Sequence, residues 1–302
     1  MARRAGSASV TMRPSTAAEL ASIVRDAHDR NTGLRVVARD TWTGRRASVA
    51  PLATALDVSA LTGIIEYVPG DLTLTARAGT TIAEVEAATA AHGQWCPLMP
   101  WGGDDGTLGA TFSTATHGPC SAQLGSPRDI AIGVEFVDGT GALVRAGGRV
   151  VKNVAGFDLT RLLVGSWGSL GVITEMSVRL RARPAVDESW SVAIAGDAAR
   201  KRAEDFRRGP VAPLAMEEFE GRTLIRLGGN PAFVAAAREI VRGLGAAEPC
   251  DSGIWTRVRR ADPKPRGPLA TSAIGDPLST RVKKQFDPRH ILNPGIMGEE
   301  LT

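Results

Sequence analysis

Two stretches of small residues carry the chemistry that this sequence most directly offers. Residues 107–118 place Thr107, Leu108, Gly109 and Ala110 ahead of Thr114, Ala115, Thr116, His117 and Gly118, and residues 165–174 space Gly165, Gly168 and Gly171 three apart before Val172 and Ile173. Runs of Gly, Ala, Ser and Thr lack the bulk to pack a core, so they mark where a backbone approaches something closely. Backbone N–H groups in such turns form anion-binding concavities, to which Thr114 and Thr116 add hydroxyl donors. A large flat or phosphorylated ligand is implied. Neither GxGxxG nor GxxxxGK[ST] occurs, which excludes two common nucleotide loops and favours a dinucleotide held by irregular ones.

A proton relay near neutral pH calls for an imidazole, and His117 lies inside a small-residue stretch. It either moves a proton or orders its loop by hydrogen bonding, since the sequence identifies no partner acid. Lys152 and Asn153 suit an anionic substrate or a polar ring edge, or else form a solvated turn between strand and helix. Trp95, Trp101 and Trp167 flank the glycine stretches as an aromatic lining or as packing. Asp158 is placed to cap the helix after it. His28 is expected on a helix surface, His92 at a helix end where a cation suits the dipole, and His290 in a structural role.

The elements that must position these groups read as α+β. Leu20, Ile23, Val24 and Ala27 fall at helical spacing over 17–29, with Ser15 or Thr16 as N-cap and Glu19 in capping-box position. Strands are expected at 34–38, 55–58, 63–67 and 72–76, and then Thr80 or Thr81 starts a helix to residue 91. Residues 138–141 read as a hairpin turn between strands 130–137 and 142–146, because Asp-Gly supplies positive φ. Residues 172–180 alternate at period two, and Pro184 closes that strand at a lobe boundary. The second lobe has expected strands at 190–194 and 223–227 and helices at 198–208 and 231–244. Residues 249–268 read as linker and 277–286 as a last helix.

Composition narrows the classes. A chain of 302 residues, 43% hydrophobic, exceeds one typical domain, so two lobes are expected. Its 36 basic residues are intermixed with 32 acidic ones and there is one Tyr, which argues against a nucleic-acid platform. Cys96, Cys120 and Cys250 lack CxxC or Cys-His spacing, so a disulfide framework, zinc or a self-contained iron–sulfur cluster is not expected, and buried thiols are. No apolar run approaches the roughly 20 residues of a membrane span, and none follows Met1-Ala-Arg-Arg as a signal peptide would. A cytoplasmic protein is expected, reaching a membrane peripherally only through a complex.

Together, Pro14 with Glu19-Leu20, Leu56-Asp-Val-Ser59, Ala78-Gly79, Thr107-Leu-Gly109, Arg128-Asp129 and Gly168-Ser-Leu-Gly171-Val-Ile-Thr174 resemble the FAD-binding domain of the vanillyl-alcohol oxidase and p-cresol methylhydroxylase family. Within it, Gly147-Gly-Arg-Val-Val-Lys152-Asn-Val-Ala-Gly156-Phe-Asp-Leu159 and the ending Phe286-Asp-Pro-Arg-His-Ile-Leu-Asn-Pro-Gly295 are similar to FAD-binding subunits of glycolate oxidases. The resemblance implies an α+β, two-subdomain FAD-binding domain over 10–184. A small α+β cap lobe and linker over 185–270 and a C-terminal segment over 271–302 that packs back on the FAD domain complete it.

It further implies a first pyrophosphate loop at Arg39, Asp40, Thr41, Trp42, Thr43 and Gly44, and a second at Gly103, Thr107, Leu108, Gly109 and Ala110. Thr114, Ala115, Thr116 and His117 would lie beside the cofactor, the backbone of Val172 or Ile173 would meet the adenine, and Gly171 would belong to the same cofactor site. The first loop holds no His or Cys, so FAD would be non-covalent. Arg39, Asp40 and Trp42 depart from the family's glycines, Ala110 from a second Gly, and Phe157 from Tyr. Relatives that oxidise 2-hydroxy acids carry paired histidines in a larger second lobe, whereas none occurs here between His117 and His290.

The expected function is that of an FAD-dependent oxidoreductase acting on CH–OH groups. It would be the FAD-binding subunit of a glycolate oxidase-like 2-hydroxy acid dehydrogenase complex, passing electrons to a larger FAD-linked subunit and an iron–sulfur subunit. Two alternatives stand beside it. Residues 114–118 suggest a stand-alone oxidase of an alditol, lactone or hydroxy acid, and residues 39–42 suggest a degenerate flavodomain serving as a scaffold.

Overall fold

The computed structural model describes residues 10–39, 54–148, 158–261 and 277–296. β1 (Val10–Met12) leads into α1 (Ala17–Asp29). Thr16, one of the two candidates, caps α1 by accepting from the Glu19 amide, while the Glu19 carboxylate accepts from the Ser15 amide. β2 (Arg35–Val37) and β3 (Thr54–Asp57) complete a parallel sheet in the order β1-β3-β2. Leu20, Val24 and Ala27 of α1 pack with Leu34, Leu56, Val137 and Val172, which seats this small sheet against the end of a larger one.

The larger sheet contains β4 (Ile64–Val68) and β5 (Thr73–Arg77). After α2 (Ile82–Ala90), β6 (Gln94–Trp95), α3 (Leu108–Ser113), α4 (Ser121–Leu124) and α5 (Pro127–Ile130) come β7 (Ala131–Val137) and β8 (Leu143–Gly147). α6 (Leu159–Leu163) precedes β9 (Val172–Arg179), giving the antiparallel order β4-β5-β9-β7-β8. Thr81 and Glu84 form the capping box of α2, and Ile82 and Val85 join Leu74, Phe112, Phe136 and Met176 in the main core.

At the β7–β8 hairpin the positive φ falls on Gly141, at 80°, rather than on Gly139. The Asp138 carboxylate organises the turn by accepting from the amides of Thr140 and Ala142. Gly139 is required for space instead: a Cβ there would lie 2.5 Å from the Asp287 carboxylate.

β10 (Arg181–Ala182) pairs with β6, and the chain then enters a second sheet. That sheet comprises β11 (Val186–Ala193), β12 (Ala215–Phe219), β13 (Arg222–Gly229) and β14 (Ala246–Cys250), antiparallel in the order β12-β13-β11-β14. α7 (Asp197–Arg208) and α8 (Pro231–Arg242) cover one face through Phe206, Val234, Ile225 and Leu227. Alternation along β13 turns Leu224 the other way, into a cluster with Trp95 and Trp101 of the first lobe.

Part of the expected linker is ordered structure. Pro249 sits in β14, an edge strand where a missing N–H is tolerated. α9 (Ile254–Ala261) follows, burying Trp255 and Val258 between the lobes. Its Arg-rich composition disguised it, because Arg259 is buried against Asp104 in a bidentate pair of 2.5 and 2.7 Å. α10 (Pro277–Phe286) is the last helix among the described residues.

Candidate cofactor cleft

A cleft opens between the exit of β2, the helix α3 and the glycine loop 165–171. Val36, Val37 and Ala38 form one wall; Gly109, Ala110, Ser113 and Thr114 form the second; Trp167, Gly168, Gly171, Val172 and Ile173 form the third. Asn293 and Ile296 close it from the C-terminal segment. No charged side chain lines it among the described residues. An anionic ligand there must be met chiefly by backbone amides, and flat apolar rings find Val172, Ile173 and Trp167.

The amides are unevenly available. Those of Leu108 and Gly109 donate to the carbonyls of Thr80 and Ala78 at 2.7 and 2.8 Å, and that of Ala110 donates to the Thr107 hydroxyl at 3.2 Å. The first turn of α3 therefore offers no free amide, contrary to the anion nest expected there. Gly168 and Gly171, in contrast, have amides with no acceptor among the described residues. The Cβ that Gly109 lacks would lie 2.6 Å from Ala78, and the one Gly171 lacks 2.5 Å from Phe136. Both Cβ directions point into protein, so it is backbone that faces the cleft. The Thr114 hydroxyl donates to the Ala110 carbonyl at 2.7 Å and accepts from Thr116 at 2.6 Å. Both hydroxyl protons are thus engaged within the loop.

Of the expected site residues, Gly109, Ala110, Thr114, Gly171, Val172 and Ile173 line the cleft. Thr107 and Leu108 are buried behind it, the first as cap and the second in the main core. Thr116 is wholly buried, and Ala115, at φ 51°, packs beneath Gly165. Gly103 lies against Arg260 of α9, and the Gly102 amide donates to the Arg259 carbonyl, so this loop is held by the second lobe. Arg39 is exposed with φ 57° directly after the cleft-lining Ala38. Asp40, Thr41, Trp42, Thr43, Gly44, Lys152, Asn153 and Phe157 lie outside the described residues.

His117 opens onto a different cavity, between the lobes, shared with Trp101, Arg207 and Glu217. His28 is less superficial than expected, its Nδ1 lying 3.0 Å from the Gly139 carbonyl. His92 stands edge-on to Tyr67. Asp158 caps α6 by accepting from the Arg161 amide. Val36, Val37, Ser113, Asn293 and Ile296 are among the cleft residues that sequence reasoning did not assign to a ligand, although the terminal motif containing Asn293 was noted, whereas Trp167 lines the cleft as one of its two readings had it.

Between the lobes, Arg226 is buried against Asp187 at 2.6 and 2.8 Å and stacks 5.2 Å over Trp95. Glu86 pairs with Arg183 at 2.7 Å, yet burial outweighs that partner and raises its pKa. Burial also pushes the Cys96 thiol up to about 12 and the Cys120 thiol to about 11, so neither is a reactive nucleophile. No helix among the described residues is long and apolar enough to cross a membrane.

Residues 8–147 match the FAD binding domain family. This segment is similar to an FAD-binding domain. The chain is 37% identical over 205 residues to glycolate oxidase subunit GlcE of Escherichia coli, covering 68% of this chain and 57% of that protein. It is 32% identical over 163 residues to glycolate oxidase subunit GlcD of Bacillus subtilis (54% of this chain, 35% of that protein). A D-lactate dehydrogenase of Archaeoglobus fulgidus is 29% identical over 181 residues (60% and 40%). The chain thus spans little more than half the length of the first of these relatives and less of the others. A solved structure of alkyldihydroxyacetonephosphate synthase superposes with a TM-score of 0.74 at 15% identity, covering 94% of this chain and 76% of that one. The fold is therefore the FAD-binding type expected from the sequence, and the chain is related to glycolate oxidase subunits and D-lactate dehydrogenases.

Proposed function

We propose that this chain holds FAD non-covalently in the cleft between β2, α3 and loop 165–171. It would serve there as the FAD-binding subunit of a glycolate oxidase-like 2-hydroxy acid dehydrogenase complex, beside a larger FAD-linked subunit and an iron–sulfur subunit. The observation that carries the proposal is the cleft's donor set among the described residues: uncharged walls, amides at Gly168 and Gly171 that have no acceptor there, and no lining His or Cys to form a flavin bond. Bound FAD supplies a two-electron acceptor. The residues would do the positioning: Val172 and Ile173 flank a ring, and the Gly168 and Gly171 amides meet phosphate oxygens. The exposed Arg39 adds positive charge next to the wall formed by Ala38.

A visible absorption spectrum of the purified chain, with and without added FAD, tests this. Flavin bands that filter away after denaturation are expected. No bands at any FAD concentration would sink cofactor binding, and bands retained by denatured protein would sink the non-covalent form. Glycolate-dependent flavin reduction that requires the co-expressed partner subunits supports the complex.

A second reading, a stand-alone oxidase, is favoured by one observation: His117 shares its cavity with Glu217 and Arg207, which puts an imidazole and a carboxylate in one polar space. Peroxide formation by the isolated chain on a panel of alditols, lactones and 2-hydroxy acids, abolished in His117→Ala, supports that reading. Its absence with flavin bound excludes it.

A further inference from the structure

Asn293 is 3% exposed and lines the cleft, yet both polar atoms of its side chain are directed at backbone. Its Oδ1 accepts from the Val36 amide at 2.7 Å, and its Nδ2 donates to the Trp167 carbonyl at 2.8 Å. The Trp167 amide in turn donates to the Ser113 carbonyl at 2.8 Å. The Asn293 side chain thereby connects β2 to the glycine loop, and the Trp167 backbone connects that loop to the end of α3, so the three walls of the cleft are joined in series. The fit is close, because a Cβ on Gly168 would stand 2.9 Å from the Asn293 Nδ2. Asn293 itself has φ 44°, a conformation in which asparagine is among the better tolerated side chains.

The segment that carries Asn293 is anchored independently. The Leu34 amide donates to Ile291 at 2.7 Å and the Asn293 amide to Leu34 at 2.9 Å, adding a parallel bridge at the edge of β2. Behind it, buried Lys283 donates to Asp287, to the Leu292 carbonyl and to the Ser169 carbonyl of the glycine loop. Asp287, wholly buried, accepts from the amides of Ile291 and Leu292. A separate attachment lies at the far end of the segment, where Arg289 donates to the carbonyls of His28 and Asp29 at the end of α1.

We propose that Asn293 is a positioning residue for the cofactor: it sets the separation of β2 from the glycine loop, and so the width of the slot in which a dinucleotide lies. The chemistry explains the residue type. Asparagine alone among side chains of its length offers one acceptor and one donor in a plane; aspartate would oppose the Trp167 carbonyl, and alanine would leave two buried backbone groups unpaired. The proposal rests on the cleft taking FAD.

The test compares Asn293→Asp and Asn293→Ala with Arg289→Ala, which loosens the same segment away from the cleft. FAD dissociation constants from flavin fluorescence, thermal midpoints, and amide hydrogen exchange of cofactor-free protein are measured for each. FAD affinity is expected to fall tenfold or more in the Asn293 variants, with faster exchange confined to residues 36–38 and 165–171; Arg289→Ala should lower the midpoint without either effect. FAD affinity within twofold of wild type in the Asn293 variants, or equal weakening in Arg289→Ala, overturns the proposal. Failure of the unmodified chain to take up FAD overturns the cofactor reading instead. Exchange in the cofactor-free protein still decides whether Asn293 holds the walls: unchanged protection at 36–38 and 165–171 refutes it. Should an Asn293 variant not fold, Gly168→Ala perturbs the same contact from the loop side and is expected to give the same loss.

Discussion

Replacing Gly109 by alanine would place a methyl group 2.6 Å from the Ala78 Cβ, 3.0 Å from its carbonyl oxygen and 3.2 Å from its Cα. Carbon atoms pack best at about 3.5–4.0 Å, so α3 and the end of β5 would have to separate by about 1 Å. Neither is free to retreat. The Gly109 amide is bonded to the Ala78 carbonyl at 2.8 Å, and the Ala78 amide to Thr174 at 2.8 Å. Over-packing of this kind costs about 1–3 kcal/mol, against which alanine's better helix propensity returns about 0.5–1 kcal/mol. The net expectation is a loss centred on about 1 kcal/mol and reaching about 2.5 kcal/mol, or a Tm lower by about 2–4 °C per kcal/mol lost. Melting of the cofactor-free protein, followed by circular dichroism, measures it without any contribution from a ligand. Ala78→Gly removes the nearest atom, so the double variant should recover about 1 kcal/mol relative to simple addition. A Gly109→Ala protein as stable as the original, or a double variant whose losses merely add, refutes the claim that this glycine is required by its strand contact.

Lys283→Met leaves Asp287 charged and buried without its partner, and urea unfolding should show a loss of about 3–5 kcal/mol; a change below 1 kcal/mol would contradict the buried pair. Thr81→Ala removes the α2 cap and should cost about 1 kcal/mol. Because its bonds to the Thr81 backbone and hydroxyl hold the Glu84 carboxyl below the ordinary glutamate value, that stabilisation is present above the unfolded pKa and lost as pH falls through the folded one. The acid limb of the stability profile should therefore be shallower in Thr81→Ala, and an unaltered limb argues against the box. Glu175 shows the opposite sign. Burial and then the facing Glu135 raise its pKa, so its favourable contribution exists below the ordinary carboxylate value and disappears as pH rises through the folded one. Glu175→Gln should raise the Tm at neutral pH and leave it unchanged in acid, which pH-dependent melts can check.

Much of the first lobe was legible because its signals are local. Thr16 with Glu19, and Thr81 with Glu84, are caps whose partners lie three residues apart, and both helices begin where those signals place them. Asp138 likewise organises its own hairpin. β14 and α9 were missed for the converse reason. Each is stabilised by residues distant in the chain: Pro249 faces Trp190, and Arg259 needs Asp104. β12 was missed although its partner is near, Met216 facing Ile225 across a short hairpin. An arginine-rich helix is indistinguishable from a linker until its counterions are in place.

The cleft divides along the same line. Sequence by itself determined that Gly109, Gly168 and Gly171 must be small, since no other pattern accounts for such residues amid strands and helices, and it determined the family resemblance that goes with them. It did not determine what each glycine is small for. Only the tertiary structure decided that the Cβ positions of Gly109 and Gly171 are claimed by Ala78 and Phe136, that of Gly168 by Asn293, and that the first-turn amides of α3 are already bonded while those of Gly168 and Gly171 have no acceptor among the described residues. The physical reason is that an amide's availability and a Cβ's surroundings depend on which distant segment comes within a few ångströms, and that distance exists only once the chain has closed on itself.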